Sequence, residues 1–454
     1  MVSSYDLVVI GGGAGGLSAA RAAARRQARV LIVHDGPLGG DCTFTGCVPS
    51  KTLIEAGHRG LVFIEAMRAV ERAVEHFAAT ETPEVLRAAG VDTRQGRAGF
   101  RSRRQLAADG TTIDADRIII ATGAGPAIPP IEGLDRVDYL THETVFALRS
   151  RPASLVVLGG GAIGCELAQA FAAFGTQVTI IEGLDRLLPR EEPEASATVA
   201  SAFTTAGIDV RVGQRVTRAE SVARGVRLQL DAGDQVDAER ILVAVGRRPS
   251  TGGLEPERAG VELDAAGFVR TDAHLATTAR GIWAVGDVTG RLQFTHSADA
   301  MGRVATANAL GRLSRRRFRS EWIPWVTFTS PEVARVGIAE ADAPSNARVA
   351  MLPMTAVDRA ITAGDTRGFV KLIAGPNPII GSAGGGRILG ATIVGPRAGE
   401  LIHEPALAMR TRMFTGRLAQ LPHAYPTWSV AVQQAAAQFF MEIDGRTARP
   451  SRPE

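Results

Sequence analysis

At 454 residues, 45% of them hydrophobic and 22% charged, the chain has the composition of a globular protein of about three domains. Its formal net charge of +4 is small for that length, which argues against a nucleic-acid partner, and no apolar run is long enough to span a membrane. Three cysteines are too few for a secreted disulfide framework, and the start Met1-Val2-Ser3-Ser4-Tyr5-Asp6 has no basic segment leading into an apolar core, so a soluble, cytoplasmic protein is expected.

The apolar run Leu7-Val8-Val9-Ile10 meets Gly11-Gly12-Gly13-Ala14-Gly15-Gly16, an Ala- and Arg-rich helical stretch follows, and a second apolar run, Val30-Leu31-Ile32-Val33, comes next. Strand, glycine turn, helix, strand is the context in which G-x-G-x-x-G marks a dinucleotide site. The glycines let backbone amides approach a pyrophosphate at the positive end of the helix. After the second strand, where an acidic residue is expected to hold a ribose hydroxyl, stand His34 and Asp35, either of which can hydrogen-bond a ribose.

Leu38 to Lys51 follows, with Gly39-Gly40-Asp41-Cys42 and Cys47-Val48-Pro49-Ser50-Lys51. A continuous helix would hold the Cα atoms of Cys42 and Cys47 about 8–9 Å apart, beyond the roughly 4.4–6.8 Å of a disulfide. Gly46 permits unusual dihedrals and Pro49 suits a first helical turn, so an irregular turn running into a helix is expected. Such a turn accommodates either a strained, reducible disulfide or two buried thiols acting as small apolar residues. Only two of the 51 basic residues are lysine, and one of them, Lys51, stands beside this pair.

Residues 56–89 read as helix, and Phe100 to Ile120 as hairpin-like strands turning at Ala108-Asp109-Gly110. The first unit then recurs. Val156-Val157-Leu158 leads into Gly159-Gly160-Gly161-Ala162-Ile163-Gly164, a helix, and Val178-Thr179-Ile180-Ile181-Glu182; Gly11, Gly13 and Gly16 map onto Gly159, Gly161 and Gly164. The closing runs Ile118-Ile119-Ile120-Ala121-Thr122-Gly123 and Ile241-Leu242-Val243-Ala244-Val245-Gly246 repeat as well, so two dinucleotide sites are expected. Gly281-Ile282-Trp283-Ala284-Val285-Gly286-Asp287 reads as a buried strand ending in a glycine and a carboxylate, Arg312 to Arg319 as a solvated basic connection, and Thr447 to Glu454 as a disordered tail. The expected fold class is α/β: two doubly wound dinucleotide-binding domains, the first discontinuous (1–149 with 273–321, around 150–272), and an α+β domain at 322–454.

Together these motifs resemble the flavin-dependent pyridine nucleotide–disulfide oxidoreductases, the family of lipoamide dehydrogenase, glutathione reductase and mercuric reductase, along nearly the whole chain. The resemblance rests on the first glycine turn, the Gly39–Lys51 segment, Ala121-Thr122-Gly123, Gly159 to Glu166, Val245-Gly246-Arg247-Arg248-Pro249 and Ala284-Val285-Gly286-Asp287. It implies FAD on the first unit, held through Gly11, Gly13, Gly16, His34 or Asp35, Gly40, Lys51, Ala98, Thr122, Gly123, Asp287 and the Ala298 amide. It implies a nicotinamide cofactor on the second, held through Gly159, Gly161, Gly164, Glu182 and Gly246. Cys42 and Cys47 become a redox-active disulfide, Cys47 against the flavin and Cys42 towards substrate, with Lys51 paired to Glu166 near the nicotinamide. No metal is implied. The last domain implies a homodimer that supplies catalytic residues to the partner's cysteines. Glu182 at the strand end favours NADH, while Arg186 and Arg190 are placed to accept the 2′-phosphate of NADPH.

The chain departs from that pattern near its end. In His423-Ala424-Tyr425-Pro426-Thr427, Tyr425 takes the place of the family's catalytic histidine and Val430 that of its orienting glutamate. Tyrosine, with a reference pKa of about 10, is a poor base near neutral pH, and His423 is the alternative base. The tyrosine is similar to mercuric reductases, yet no cysteine follows Cys165, so the family's C-terminal mercury-passing pair is not encoded here. The expected function is electron transfer from NAD(P)H through FAD and Cys42–Cys47 to a small disulfide or other electrophilic acceptor. The alternatives are a mercuric-reductase-like or quinone-type reductase working directly from flavin, and a flavin-binding protein that has lost turnover.

Overall fold

Leu7–Ile10 is a strand with no exposed residue, apolar on both faces because it lies inside a parallel sheet. In this computed structural model, which describes residues 4–311, 315–377 and 381–451, the sheet runs Ile282–Ala284, Ile118–Ile120, Leu7–Ile10, Val30–His34, Val91–Gln95, all parallel. The chain enters at the centre, builds outward through Val30–His34 and Val91–Gln95, then returns to the other side with Ile118–Ile120. The first glycine turn therefore sits where the strand order reverses, the place at which open α/β sheets bind ligands. Helix Ala14–Ala24 packs so closely on helix Thr295–Leu310 that a Cβ on Gly302 would lie 2.6 Å from the Gly15 carbonyl oxygen. An antiparallel ladder of Ala98–Ser102, Gln105–Ala108 and Thr111–Ala115 is inserted before Ile118 and turns at Asp109-Gly110, as expected, with φ of +45° and +75°. These elements form the first of two compact units, the described residues of Met1–Pro130, Tyr139–Arg151 and Leu242–Arg319.

The second unit comprises Ile131–Asp138, Pro152–Ile241 and the described residues of Ser320–Glu454. It repeats the parallel arrangement in Ser154–Leu158, Gln177–Glu182 and Asp209–Val212, with helix Ala162–Ala173 after the second glycine turn. It adds a six-stranded antiparallel sheet ordered Trp325–Thr327, Glu332–Gly337, Arg387–Gly395, Phe369–Gly375, Arg348–Pro353, Arg449–Pro450. Its core takes Val336, Leu352, Leu372 and Ile393 from the strands and Val432 and Ala435 from helix Val430–Ala437.

Two expectations need correction. Residues 56–89 are not one helix but the end of Cys47–His58, then Phe63–Ala78 and Pro83–Ala88. Gly60 (φ +70°) follows the first, and Thr82, whose hydroxyl accepts from the Val85 amide, caps the last with Pro83 in its first turn. The described part of the tail is ordered: Arg449–Pro450 pairs with Arg348–Val349, and Ser451 is buried with its hydroxyl on the Pro344 carbonyl, while residues 452–454 lie outside the described residues. In the basic run, residues 312–314 lie outside the described residues; Arg315 to Arg317 are exposed, as expected. No helix among the described residues is long and apolar enough to cross a membrane.

Candidate active site

The two cysteines meet because the helix between them is broken. Gly40–Phe44 and Cys47–His58 are separate helices, divided at Gly46, whose φ/ψ of −119°/−114° is not helical. A Cβ there would lie 2.8 Å from the Asp41 carbonyl oxygen, so the turn requires glycine. The two cysteines are not joined by a disulfide: Cys42 is half-buried and Cys47 exposed, with Cys47 Sγ 3.3 Å from Thr295 Oγ1. The Cys42 thiol is pushed well above its ordinary pKa, first by its hydrogen bond to Cys47, then by burial and by charge on Cys47. Charge on the pair is thus disfavoured at Cys42, whereas Cys47 is the first residue of a 12-residue helix, whose N-terminus favours a thiolate. Lys51 lies four residues further along the same helix, hence on the same face as Cys47.

Arg247 organises a second cluster in this unit. Its Nη2 is 2.5 Å from Asp41 Oδ2 and also donates to the Ala124 carbonyl; its Nε is 3.2 Å from Asp287 Oδ2, and its Nη1 is 3.2 Å from His142 Nε2. One guanidinium thus ties the residue before Cys42 to the carboxylate of the Gly286-Asp287 motif. Burial raises the Asp287 pKa to about 6 against the pull of Arg247, while burial and the charge of Arg247 lower that of His142 to about 4. His142 is therefore neutral near pH 7, and its Nε2 lone pair accepts from Arg247. The sequence singled out Asp287 but not Asp41, Arg247 or His142; the signal available was that Asp41 adjoins Cys42 and Arg247 follows Gly246.

The glycine turn of this unit is built for close approach. Gly11 has φ +113°, and a Cβ on it would lie 2.2 Å from the Ala121 carbonyl oxygen; one on Gly16 would lie 2.0 Å from that of Gly11. A Cβ on Gly13 or Gly123 would meet nothing within 4 Å. Gly40 packs against Gly13, and Gly13 bridges to Gly39, which joins the cysteine segment to the turn. The hydroxyls of Thr122 and Thr45 are buried without a protein partner. Open backbone at a helix N-terminus with unsatisfied hydroxyls fits a phosphate-bearing dinucleotide. His34 Nδ1 is 2.6 Å from the Gly36 carbonyl oxygen, to which it donates, and Asp35 beside it is exposed. Ala98 and Ala298 are both buried, at the start of a strand and in helix Thr295–Leu310.

The second unit repeats the cradle. Gly159 has φ +106°, a Cβ on Gly164 would lie 1.9 Å from its carbonyl oxygen, and one on Gly161 would meet nothing, so a second dinucleotide fits. Glu182 accepts from the Gly160 amide at 2.7 Å and from the Leu184 amide at 2.8 Å, which holds its carboxylate against the turn. Glu166, on helix Ala162–Ala173, accepts from the Phe328 amide at 2.8 Å. Gly246 belongs to the first unit, with φ +147°.

Near the chain end, Tyr425 is 74% exposed, and its phenol holds its proton more tightly than usual because it donates to Asp358 beside that carboxylate's charge. His423 does not stand free beside it. The His423 side chain is only 7% exposed, with Nε2 3.1 Å from Glu404 Oε1 and Nδ1 2.8 Å from the Leu421 carbonyl oxygen.

Residues 5–302 match the family described as pyridine nucleotide-disulphide oxidoreductase, and residues 323–436 match its dimerisation domain. The chain is 36% identical to a mercuric reductase of Streptomyces lividans, over 97% of each protein. It is 34% identical to a dihydrolipoyl dehydrogenase of Thermus scotoductus, over 96% of this chain and 97% of that one. Among solved structures it is similar to the copper(II) complex of the HOCl-induced flavoprotein disulfide reductase RclA from Escherichia coli, with TM-score 0.88 and 29% identity, covering 96% of this chain and 99% of that one.

Proposed function

The chain belongs to the pyridine nucleotide-disulphide oxidoreductase family, an FAD-dependent enzyme that moves electrons from NAD(P)H to a disulfide centre; we propose that this centre is Cys42–Cys47 and that its acceptor is a small disulfide or another electrophile. Bound FAD supplies the link, taking hydride from the nicotinamide and delivering two electrons to sulfur. The observation that carries the reading is the cysteine pair itself, at two helices broken at Gly46 with Cys47 Sγ 3.3 Å from Thr295 Oγ1. Two electrons and one proton open the disulfide to a Cys47 thiolate and a Cys42 thiol.

The remaining residues take these roles. Gly11, Gly13, Gly16, Gly40, Thr122 and Gly123 receive the flavin's phosphates, Asp287 its ribityl chain and Ala298 its ring. Arg247 keeps Asp287 and Asp41 in register, and Lys51 offsets charge on Cys47. Gly159, Gly161, Gly164 and Glu182 hold the nicotinamide nucleotide, with Glu182 favouring NADH, and Glu166 follows Gly164 by two residues on the same helix. The enzyme works as a cytoplasmic homodimer in which exposed Tyr425 serves the partner's cysteines.

The test is an acceptor panel with NADH on the wild type and Cys42→Ser. The variant should keep bound FAD and its reduction by NADH yet lose turnover with disulfides. Undiminished disulfide turnover by Cys42→Ser would instead assign reduction to the flavin directly.

A further inference from the structure

Lys371 is the second of only two lysines in the chain, and its side chain is 1% exposed, in the fully buried strand Phe369–Gly375. Its ammonium is surrounded by three carboxylates: Glu192 Oε2 at 3.3 Å, Glu194 Oε1 at 2.8 Å and Glu340 Oε2 at 2.8 Å. A compact group with three donors can address three oxygens from different residues, whereas a planar guanidinium directs its donors into a fork. That geometry accounts for lysine at a place in a chain that otherwise uses arginine.

The carboxylates come from both parts of this unit. Glu340 belongs to the antiparallel-sheet domain, where its Oε1 also meets Arg449 at 2.5 Å, while Glu192 and Glu194 open helix Pro193–Thr205 of the dinucleotide-binding part. Glu192 Oε1 accepts from the Glu340 amide at 2.8 Å. Beside them, Glu191 takes the Trp325 indole N–H at 2.8 Å and Arg335 at 3.1 Å. So Glu191, Glu192 and Glu194, in one short segment, are all gripped from the sheet domain.

That segment leads directly back to the second glycine turn. The Leu188 amide donates to the Gly160 carbonyl at 2.8 Å, and a Cβ on Gly160 would strike Leu187 at 2.6 Å. The Ser196 hydroxyl donates to the Leu187 carbonyl at 2.5 Å. Residues 183–192, which begin just after Glu182 and carry Arg186 and Arg190, are thus pinned to the turn at one end and to Lys371 at the other.

We propose that Lys371 is a positioning residue for the nicotinamide nucleotide, holding residues 183–192 in place over the Gly159–Gly164 turn from the six-stranded sheet. The inference rests on the reading of that turn and Glu182 as the nicotinamide site. A buried ion pair is directional and strongly disfavours any arrangement that separates its members. Without it the segment samples other positions, and nucleotide binding must supply the cost of ordering it.

The test uses the FAD-loaded enzyme. Lys371→Met combined with Glu192→Gln and Glu194→Gln removes the opposed charges together, so that no carboxylate of residues 192–194 is stranded; Lys371→Arg keeps the charge but not the tripod. For both, NAD+ is titrated by calorimetry, and FAD content, thermal midpoint, KM for NADH and kcat are measured. The expected result is NAD+ binding weakened and KM for NADH raised by about tenfold, the cost of ordering one or two side chains, with full FAD content and kcat within about twofold. A triple variant that fails to fold leaves the decision to Lys371→Arg. Wild-type NAD+ affinity in a folded variant overturns the inference, as does a fall in kcat with KM unchanged. A wild type that binds no NAD+ overturns the nicotinamide reading itself, and this inference with it.

Discussion

His423 and Glu404 form a closed pair: Nε2 of the ring lies 3.1 and 3.2 Å from the two carboxylate oxygens, while Nδ1 faces the Leu421 carbonyl at 2.8 Å. Both neighbours only accept, and they engage both ring nitrogens, so neither nitrogen is turned towards a thiol. His423→Gln is therefore expected to cost roughly 1–3 kcal/mol of stability, as for a partly buried charged hydrogen bond, and to leave kcat within about tenfold. Urea unfolding beside steady-state turnover checks this. A hundredfold loss of kcat with unchanged stability would make His423 the base.

Tyr425 is exposed and keeps its proton through Asp358, and Val430, in the first turn of helix Val430–Ala437, offers no carboxylate. Turnover of lipoamide-type disulfides should be slow while NADH reduces the centre quickly. Tyr425→His with Val430→Glu should raise disulfide turnover by about 10²-fold, the lower end of what a general base contributes. Stopped-flow reduction compared with steady-state rates measures the gap, which must narrow in the double variant.

In the reduced enzyme the thiols should ionise in two steps, seen by ultraviolet thiolate absorbance, the second well above the ordinary thiol range of about 8.5. The second step belongs to Cys42, raised chiefly by Cys47. Cys47→Ser removes the charge of Cys47 and should leave one step nearer the ordinary value. A Cys42 step unmoved by that change would show that burial, not Cys47, holds its proton.

His142 and Asp287 oppose each other in acid. The His142 pKa falls from 6.5 to about 4 on folding, so its contribution to stability is complete above 6.5 and is lost as pH falls towards 4. Asp287 rises from 3.8 to about 6, so its contribution is complete below 3.8 and is lost as pH rises through 6. The wild type should therefore show a shallow slope between these limits. His142→Gln, which still accepts from Arg247 but does not titrate, should gain on the wild type by up to about 3 kcal/mol as pH falls from 6.5 to 4. Denaturant unfolding of both proteins across that range gives the difference directly; parallel curves would show that His142 titrates normally.

Glu182 keeps a carboxylate at the end of strand Gln177–Glu182, fixed by two backbone amides. The kcat/KM for NADH should exceed that for NADPH by at least about tenfold, since a 2′-phosphate would face that charge. An NADPH advantage would mean that Arg186 and Arg190 dominate.

The local chemistry of the protein was legible in the amino-acid order. Each glycine turn is a contiguous strand–turn–helix signal, and the need for a break between Cys42 and Cys47 followed from helix geometry and Gly46 alone. The duplicated Gly11–Gly16 and Gly159–Gly164 patterns sufficed for two dinucleotide units, because hydrophobic periodicity and glycine spacing act within a few residues. What tertiary structure decided was which distant residues share a charge. Arg247, on the strand Arg247–Pro249 paired with Ala124–Pro126, meets Asp41 of helix Gly40–Phe44 across 206 positions, and no periodicity encodes that meeting. Lys371 reads in sequence as one polar residue in an apolar strand; only packing against the start of helix Pro193–Thr205 makes it the centre of three carboxylates. Arg449–Pro450 carries no strand signal of its own and becomes an edge strand because Arg348–Pro353 offers it a free ladder. Short-range sterics wrote the turns and the dithiol into the sequence, whereas long-range electrostatics waited for the fold to set the distances.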